Sequence, residues 1–364
     1  MTEVFDLDSV TRLNRRIRQV CQATGKSYKH YRKEVYAMME IPAVHTIWIR
    51  RRKIKRLLKL YGKADQRTDA WLQKRGEMIT ASEVCKAFAS ASPSSRKEML
   101  LRKINPREST GQGPSMTACL WGTQFEPIAK EIYANLQGGA NVVDTSCVVH
   151  PKYPFLGASP DGIVLMKNPL DPDWGKLVEF KCPISRKFTQ TTAIPDAYYH
   201  QMQMQMECTD IDTCDYCEMQ FVRCNQTDWR ESKAPYKGVL AVYDSGEIVY
   251  NSDNVPVAEW KKTLTADEYR LVYWILENIR IEAVPRDRAW LDTHIADLQA
   301  FWAIVQECRA DPSKTEQYIQ KTDPPDAPSK ILEVEIEAPS IPATTSDSSS
   351  ARTMILHLDD ASVP

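Results

Sequence analysis

Apolar spacing divides the chain into a helical head, a mixed middle and a polar tail. From Arg50 to Leu60 the pattern places Ile47, Ile54, Leu57, Leu58 and Tyr61 near one face of a helix and cations on the other. Thr80-Ala81-Ser82-Glu83 opens a further helix, with a hydroxyl available as N-cap and a Glu in the first turn. The default role of Ser82 is such a cap. Residues 94–104 read as helix, 106–117 as a polar, breaker-rich loop, and Phe125 to Leu136 as a longer helix. Residues 142–149 and 155–165 read as strands joined through His150-Pro151, and 168–175 as a turn. Leu177 to Lys181 is a short buried strand and Tyr198 to Glu207 a helix. A strand follows at 218–223, then a hairpin turning at Asp244-Ser245-Gly246. Residues 264–310 fit two amphipathic helices around a break at Pro285. From 323 the chain is rich in Pro, Ser and Thr, and disorder is expected.

These segments give four regions. A basic helical extension covers 1–65, an α/β core 66–260, C-terminal helices packed on that core 261–322, and an acidic tail 323–364. No internal repeat is evident. The net charge of -1 over 364 residues hides an asymmetry. Residues 1–65 carry sixteen Lys and Arg against six Asp and Glu, and residues 323–364 carry two against eight. A basic head suits a phosphate backbone or serves as a solvated helix face, and an acidic tail suits solubility or self-masking. No signal-like leader and no long apolar run is present, so a soluble, intracellular protein with no membrane partner is expected.

The chemistry concentrates in Ser159-Pro160-Asp161-Gly162 and, after a spacer, Val178-Glu179-Phe180-Lys181-Cys182. Mg²⁺ takes oxygen ligands, typically one or two carboxylates with water and phosphate oxygens completing the shell. Such an ion polarises a phosphoryl group and acidifies bound water. Lys181 lies two residues after Glu179 and so shares its face of a strand. There it can hold or deprotonate an attacking water. Burial beside Mg²⁺ is expected to depress the pKa of Lys181 and to raise activity toward alkaline pH. No GxxxxGK[ST] loop exists, so nucleotide-driven motor chemistry has no support. Taken alone, Pro-Asp-Gly is also an ordinary turn, and a Glu and Lys on a strand an ordinary surface pair.

The wider order of motifs is more specific. Trp71 is followed by Arg75, then Ile79-Thr80-Ala81-Ser82, then Trp121-Gly122 and Glu126, then the two segments above, then Tyr198 and Gln201. This order, over roughly residues 68–225, resembles the lambda exonuclease and YqaJ-type viral recombinase nucleases, a branch of the PD-(D/E)xK superfamily. The resemblance implies an α/β fold, a restriction-endonuclease-like core whose mixed β-sheet is flanked by helices. It implies a Mg²⁺-dependent (or Mn²⁺-dependent) 5′→3′ exonuclease on duplex DNA ends, from a virus, phage or mobile element. A single-strand annealing partner and a homo-oligomer are further implications. Asp161, Glu179, the Phe180 carbonyl and Glu126 match metal ligands, Lys181 the catalytic Lys, and Gln201 a glutamine that orients water or the ligand shell. Arg75, Ser82 and Ser159 match a pocket for a 5′-terminal phosphate, and Trp71 an aromatic at the duplex end. Gln203 and Gln205 are expected to face solvent or the sheet edge. The basic head and the tail have no counterpart in the compact phage enzyme.

Ten cysteines raise a separate question. Cys214-x-x-Cys217, with Cys208, Cys224 and Cys85, could be drawn as a zinc or iron–sulfur site. A strand directly after Cys217 would turn Cys217 and Cys224 to opposite faces, so reduced thiols are the expectation. Two other functions remain open: a structure-specific endonuclease of the same fold, and a DNA-binding scaffold without catalysis.

Overall fold

The computed structural model describes residues 7–31, 42–63, 65–105, 115–168, 171–251, 255–265 and 268–320. Of the loop expected over 106–117, residues 106–114 lie outside the described residues, as does the tail from 323, and residues 115–117 are helical instead. The head contains α1 (Leu7–Thr24) and α2 (Pro42–Tyr61). Then come α3 (Asp69–Gly76), β1 (Ile79–Thr80) and a 3-10 turn over Ala81–Ala87. Thr80, not Ser82, starts that turn. The Thr80 N–H and hydroxyl both donate to the Glu83 carboxylate (3.2 and 2.7 Å), which leaves Ser82 exposed. After α4 (Pro93–Ile104) comes α5 (Ser115–Leu136), which starts well before the expected Phe125 and contains Pro127. Trp121 and Glu126 are therefore inside this helix rather than at its beginning.

The two strands expected between 142 and 165 are four short ones, β2 (Asn141–Val143), β3 (Val148–Val149), β4 (Leu156–Ala158) and β5 (Gly162–Leu165). Then follow β6 (Lys176–Lys181), α6 (Asp196–Thr209), β7 (Thr213–Cys224), β8 (Lys237–Tyr243), β9 (Ile248–Tyr250) and β10 (Tyr269–Pro285). The described chain closes with α7 (Trp290–Ala310) and α8 (Ser313–Gln320). The large sheet runs β2-β5-β6-β7-β10-β8-β9, and a small one runs β1-β4-β3. β6 and β7 are parallel, joined by the α6 crossover, and the other neighbours in the large sheet are antiparallel.

β10 overturns the helix expected over 264–285, and the sheet continues past the expected core boundary at 260. The segment is rich in β-branched and aromatic residues, and Val272, Trp274 and Leu276 are buried at a spacing of two. A bulge between Leu276 and Asn278 then inserts one residue. Past it, even-numbered positions change sides of the sheet: Leu276 pairs with Phe221, whereas Arg280 pairs with Glu218. The alternation is thus interrupted halfway, and a helical period fits it by default.

Each face of the large sheet has its own helical cover. Phe125, Ile132 and Tyr133 of α5 pack on Val178, Phe180 and Phe221. Phe125 stacks on Phe221 at 4.6 Å between centroids. Met202 and Met206 of α6 and Phe301 of α7 join Leu177, Cys214 and Tyr216 on the opposite face. Each such burial contributes about 1.5–3 kcal/mol. In the basic head, Ile54 and Leu57 of α2 are buried in this second core. Gly175, at φ +88, lies so close to Ile54 that a Cβ would come within 2.8 Å of it. Arg50 Nη2 donates to the Asp171 carbonyl (2.6 Å) and Lys53 pairs with Asp210 (2.6 Å). Part of the basic stripe therefore fastens the helix to the core, while Lys55, Arg56 and Lys59 remain exposed. The side chain of Ile47 lies outside the described residues.

Candidate active site

The site sits where β5 begins and β6 ends. Asp161 precedes β5 directly, and its Oδ2 accepts the Phe180 N–H at 2.8 Å. Glu179 and Lys181 point to the α6 face of β6, as their spacing requires. Glu179 is 1% exposed. Its Oε1 accepts from Lys181 Nζ and Gln201 Nε2, both at 2.5 Å, and its Oε2 accepts from Gln205 Nε2 at 2.6 Å. Lys181 also donates to Gln201 Oε1 at 3.2 Å and lies 4.5 Å from the Tyr198 ring centroid. Tyr198, Gln201 and Gln205 all come from α6, at positions three and four apart that share a face.

The charges are unbalanced. Burial raises the Asp161 carboxyl well above the usual carboxylate range, and the negative charges of Glu179 and Glu126 push it further. The depression expected for Lys181 presupposes an ion beside it; among its protein neighbours alone its pKa is raised. Burial alone would lower its pKa, but Glu179 and Asp161 outweigh burial and raise it. Carboxylates surround this ammonium, so the positively charged form is favoured.

The donor set suits a hard divalent cation, with carboxylates on Asp161, Glu179 and Glu126 and the Phe180 carbonyl between Glu179 and Lys181 on one strand. The chemistry of the donors is the sign of fit: Asp161 is buried beside Glu179 and Glu126, and both burial and those neighbours disfavour its charge without a cation. As the side chains stand, no group of three or more His, Cys, Asp or Glu among the described residues forms a ready metal cage. The hydrogen bonds explain this: Glu179 is turned to Lys181 and the glutamines, and Glu126 is held by Arg67 Nη2 at 2.7 Å.

A second cluster adjoins the first. The Arg75 guanidinium lies 4.3 Å from the Trp71 ring centroid and donates to Ser82 Oγ at 2.9 Å. Trp71 Nε1 donates to Ser159 Oγ at 3.1 Å. All four residues named from sequence for phosphate and DNA-end contact are thus in one connected group. Ser159-Pro160-Asp161 joins that group to the carboxylates of Asp161 and Glu179. Arg75 carries a lowered pKa, chiefly from burial and partly offset by Glu83.

Two sequence expectations fail here. Gln203 and Gln205 are fully buried rather than facing solvent. Gln203 donates to the Pro285 carbonyl (2.9 Å), and Gln205 completes the grip on Glu179. The signal for Gln205 was present, since it follows Gln201 by one helical turn. Of the cysteines, Cys214 packs on the α6 face and Cys217 on the α5 face, so the pair cannot converge on one ion.

Residues 70–212 match the family of the YqaJ-like viral recombinase domain. That part of the chain is similar to the domain of that family. Within that stretch the hairpin β5–β6 carries Asp161 at its entry and Glu179-Phe180-Lys181 on its exit strand. An uncharacterized protein of Acanthamoeba polyphaga mimivirus is 22% identical, across 81% of this chain and 61% of its own length. The chain therefore spans less than two thirds of that relative. A solved alkaline exonuclease from Laribacter hongkongensis is 22% identical, with a TM-score of 0.40 over 70% of this chain and 97% of its own. A phage-related exonuclease from Haemophilus somnus 129PT is 12% identical, with a TM-score of 0.35 over 68% and 96%. No described helix is long and apolar enough to cross a membrane.

Proposed function

We propose that this chain is a divalent-metal-dependent deoxyribonuclease that degrades duplex DNA from its 5′ ends, with Mg²⁺ the preferred ion. The convergence of Asp161, Glu179, Lys181 and Gln201 at one end of β6 carries the reading. Asp161, Glu179 and the Phe180 carbonyl would hold the ion, with Glu126 for a second. The ion supplies Lewis-acid activation of the scissile phosphate and of water. Lys181 would orient the attacking water and, in its neutral form, take up the proton of that water. Gln201 fixes both Glu179 and Lys181, so the acceptor and the carboxylate keep one geometry.

The Trp71–Arg75–Ser82–Ser159 group sets polarity. A guanidinium and two hydroxyls suit the extra charge of a terminal phosphate, and holding that phosphate determines which phosphodiester lies over Asp161. The Trp71 face is available to stack on the terminal base pair.

The test is digestion of linear duplexes carrying 5′-phosphate or 5′-hydroxyl ends, with Mg²⁺ or EDTA, for wild type and Lys181→Ala. Metal-dependent loss from phosphorylated ends, reduced about 10²–10⁴-fold in the variant, is expected. Cutting of closed circles would replace this reading with an endonuclease, and no cutting at all with a DNA-binding scaffold.

A further inference from the structure

We propose that Arg67 is the resident counter-cation of the metal site, a positioning residue that holds Glu126 until a divalent ion takes its place. The inference rests on the nuclease reading above and states how one carboxylate of that site is controlled. Arg67 Nη2 lies 2.7 Å from Glu126 Oε2. Among the described residues, Arg67 (φ 71) and Asp210 (φ 55) are the two non-glycine residues with positive φ. An L-residue with a long side chain avoids this region, so neighbouring contacts must impose it.

Those contacts belong to residues 65–68. Ser146 Oγ donates to Asp65 Oδ2 at 3.0 Å. Gln66 Nε2 donates to the carbonyls of Thr145 (2.9 Å) and Pro160 (3.3 Å). Thr68 Oγ1 donates back to the Asp65 carbonyl at 2.7 Å while it caps α3. Pro160 immediately precedes Asp161, so this strap is tied to the segment that carries the metal-site aspartate. From this reversed backbone the half-exposed Arg67 side chain reaches Glu126.

The pair is built to open. The side chain of Arg67 is 53% exposed and that of Glu126 32%, so the guanidinium can swing away without unmaking a core. A guanidinium and a divalent ion both draw on the charge of one carboxylate. An ion using Glu126 therefore competes with Arg67, whereas an ion held by Asp161 and Glu179 does not. The chain so favours partial over full metal loading.

Calorimetric titration of the full chain with Mn²⁺ tests this, using wild type, Arg67→Gln, Arg67→Lys, Asp161→Asn and the double variant Arg67→Gln/Glu126→Gln. Thermal melts establish that each variant is folded. An exposed ion pair corresponds to a change of up to about five-fold in a binding constant. Arg67→Gln is expected to tighten the weaker Mn²⁺ event by that factor. Arg67→Lys should return toward wild type, and the double variant should lose the gain. If Arg67→Gln superimposes on wild type while Asp161→Asn loses binding, the Arg67 inference is wrong and the metal reading stands. If Asp161→Asn binds Mn²⁺ as wild type does, the metal reading fails, and the inference with it.

Discussion

Two glutamines one helical turn apart grip the two oxygens of Glu179, and only one of them was visible from the motif. Gln201 touches both Glu179 and Lys181, whereas Gln205 touches Glu179 alone. Removing Gln205 leaves a buried carboxylate oxygen without its donor, at a cost of about 1.5–3 kcal/mol. Gln205→Ala should therefore lower turnover roughly ten-fold or more while leaving KM for DNA unchanged. Unaltered turnover at every Mg²⁺ concentration would reduce Gln205 to a packing role. Asp161 supports a stability prediction. Its folded pKa is raised above the unfolded value, so the stability linked to its protonated form is present below the unfolded pKa. That stability is lost as pH rises through the folded pKa. Ionising Asp161 without metal is a liability, and Asp161→Asn should raise the melting temperature in EDTA at pH above the carboxylate range. A lower melting temperature for that variant in EDTA would contradict the charge imbalance described above.

Among the elements, the strand β8 meets β10 with almost no clearance. A Cβ on Gly238 would approach the Trp274 indole to 2.5 Å, and an indole packed in the core cannot yield as a flexible side chain does. Gly238→Ala should destabilise the chain by about 1–3 kcal/mol in urea unfolding, through overpacking alone. The same pairing shows where sequence reading works and where it stops. The strand β6 was legible as a short run between breakers, and the helix α6 as an unbroken stretch of helix-forming residues. Asp161, Glu179, Lys181 and Gln201 came with them. The strand β10 was not, because its bulge exchanges the buried side halfway along and Pro285 marks its end as it would a helix end. The apolar face of α2 was legible from Ile54 and Leu57. Its seat against Gly175, Asp171 and Asp210 was not, since tertiary contacts leave no local period. The role of Arg67 was equally hidden, because it depends on one backbone angle and a carboxylate far along the chain.

At the scale of the whole molecule, the two faces of the large sheet divide the labour. The α5 face is dominated by aromatic and aliphatic packing, with a buried Lys176–Asp215 pair at 2.7 Å. The α6 face carries Glu179, Lys181 and the buried glutamines. The basic head does not stand apart as a free arm, because α2 fills part of the second core. Its exposed cations Lys55, Arg56 and Lys59 are thereby held in a fixed place on the fold. The strand β10 lies between β7 and β8 and pairs with both. Without it the large sheet falls into two pieces, β2-β5-β6-β7 and β8-β9, each with a bare edge. A ribosome makes Asp161, Glu179, Lys181 and Gln201 long before it makes β10. The nascent chain thus holds all four of these residues while its sheet is still in two pieces. The last strand made is the one that joins the two pieces, so the sheet is complete only when β10 has left the ribosome.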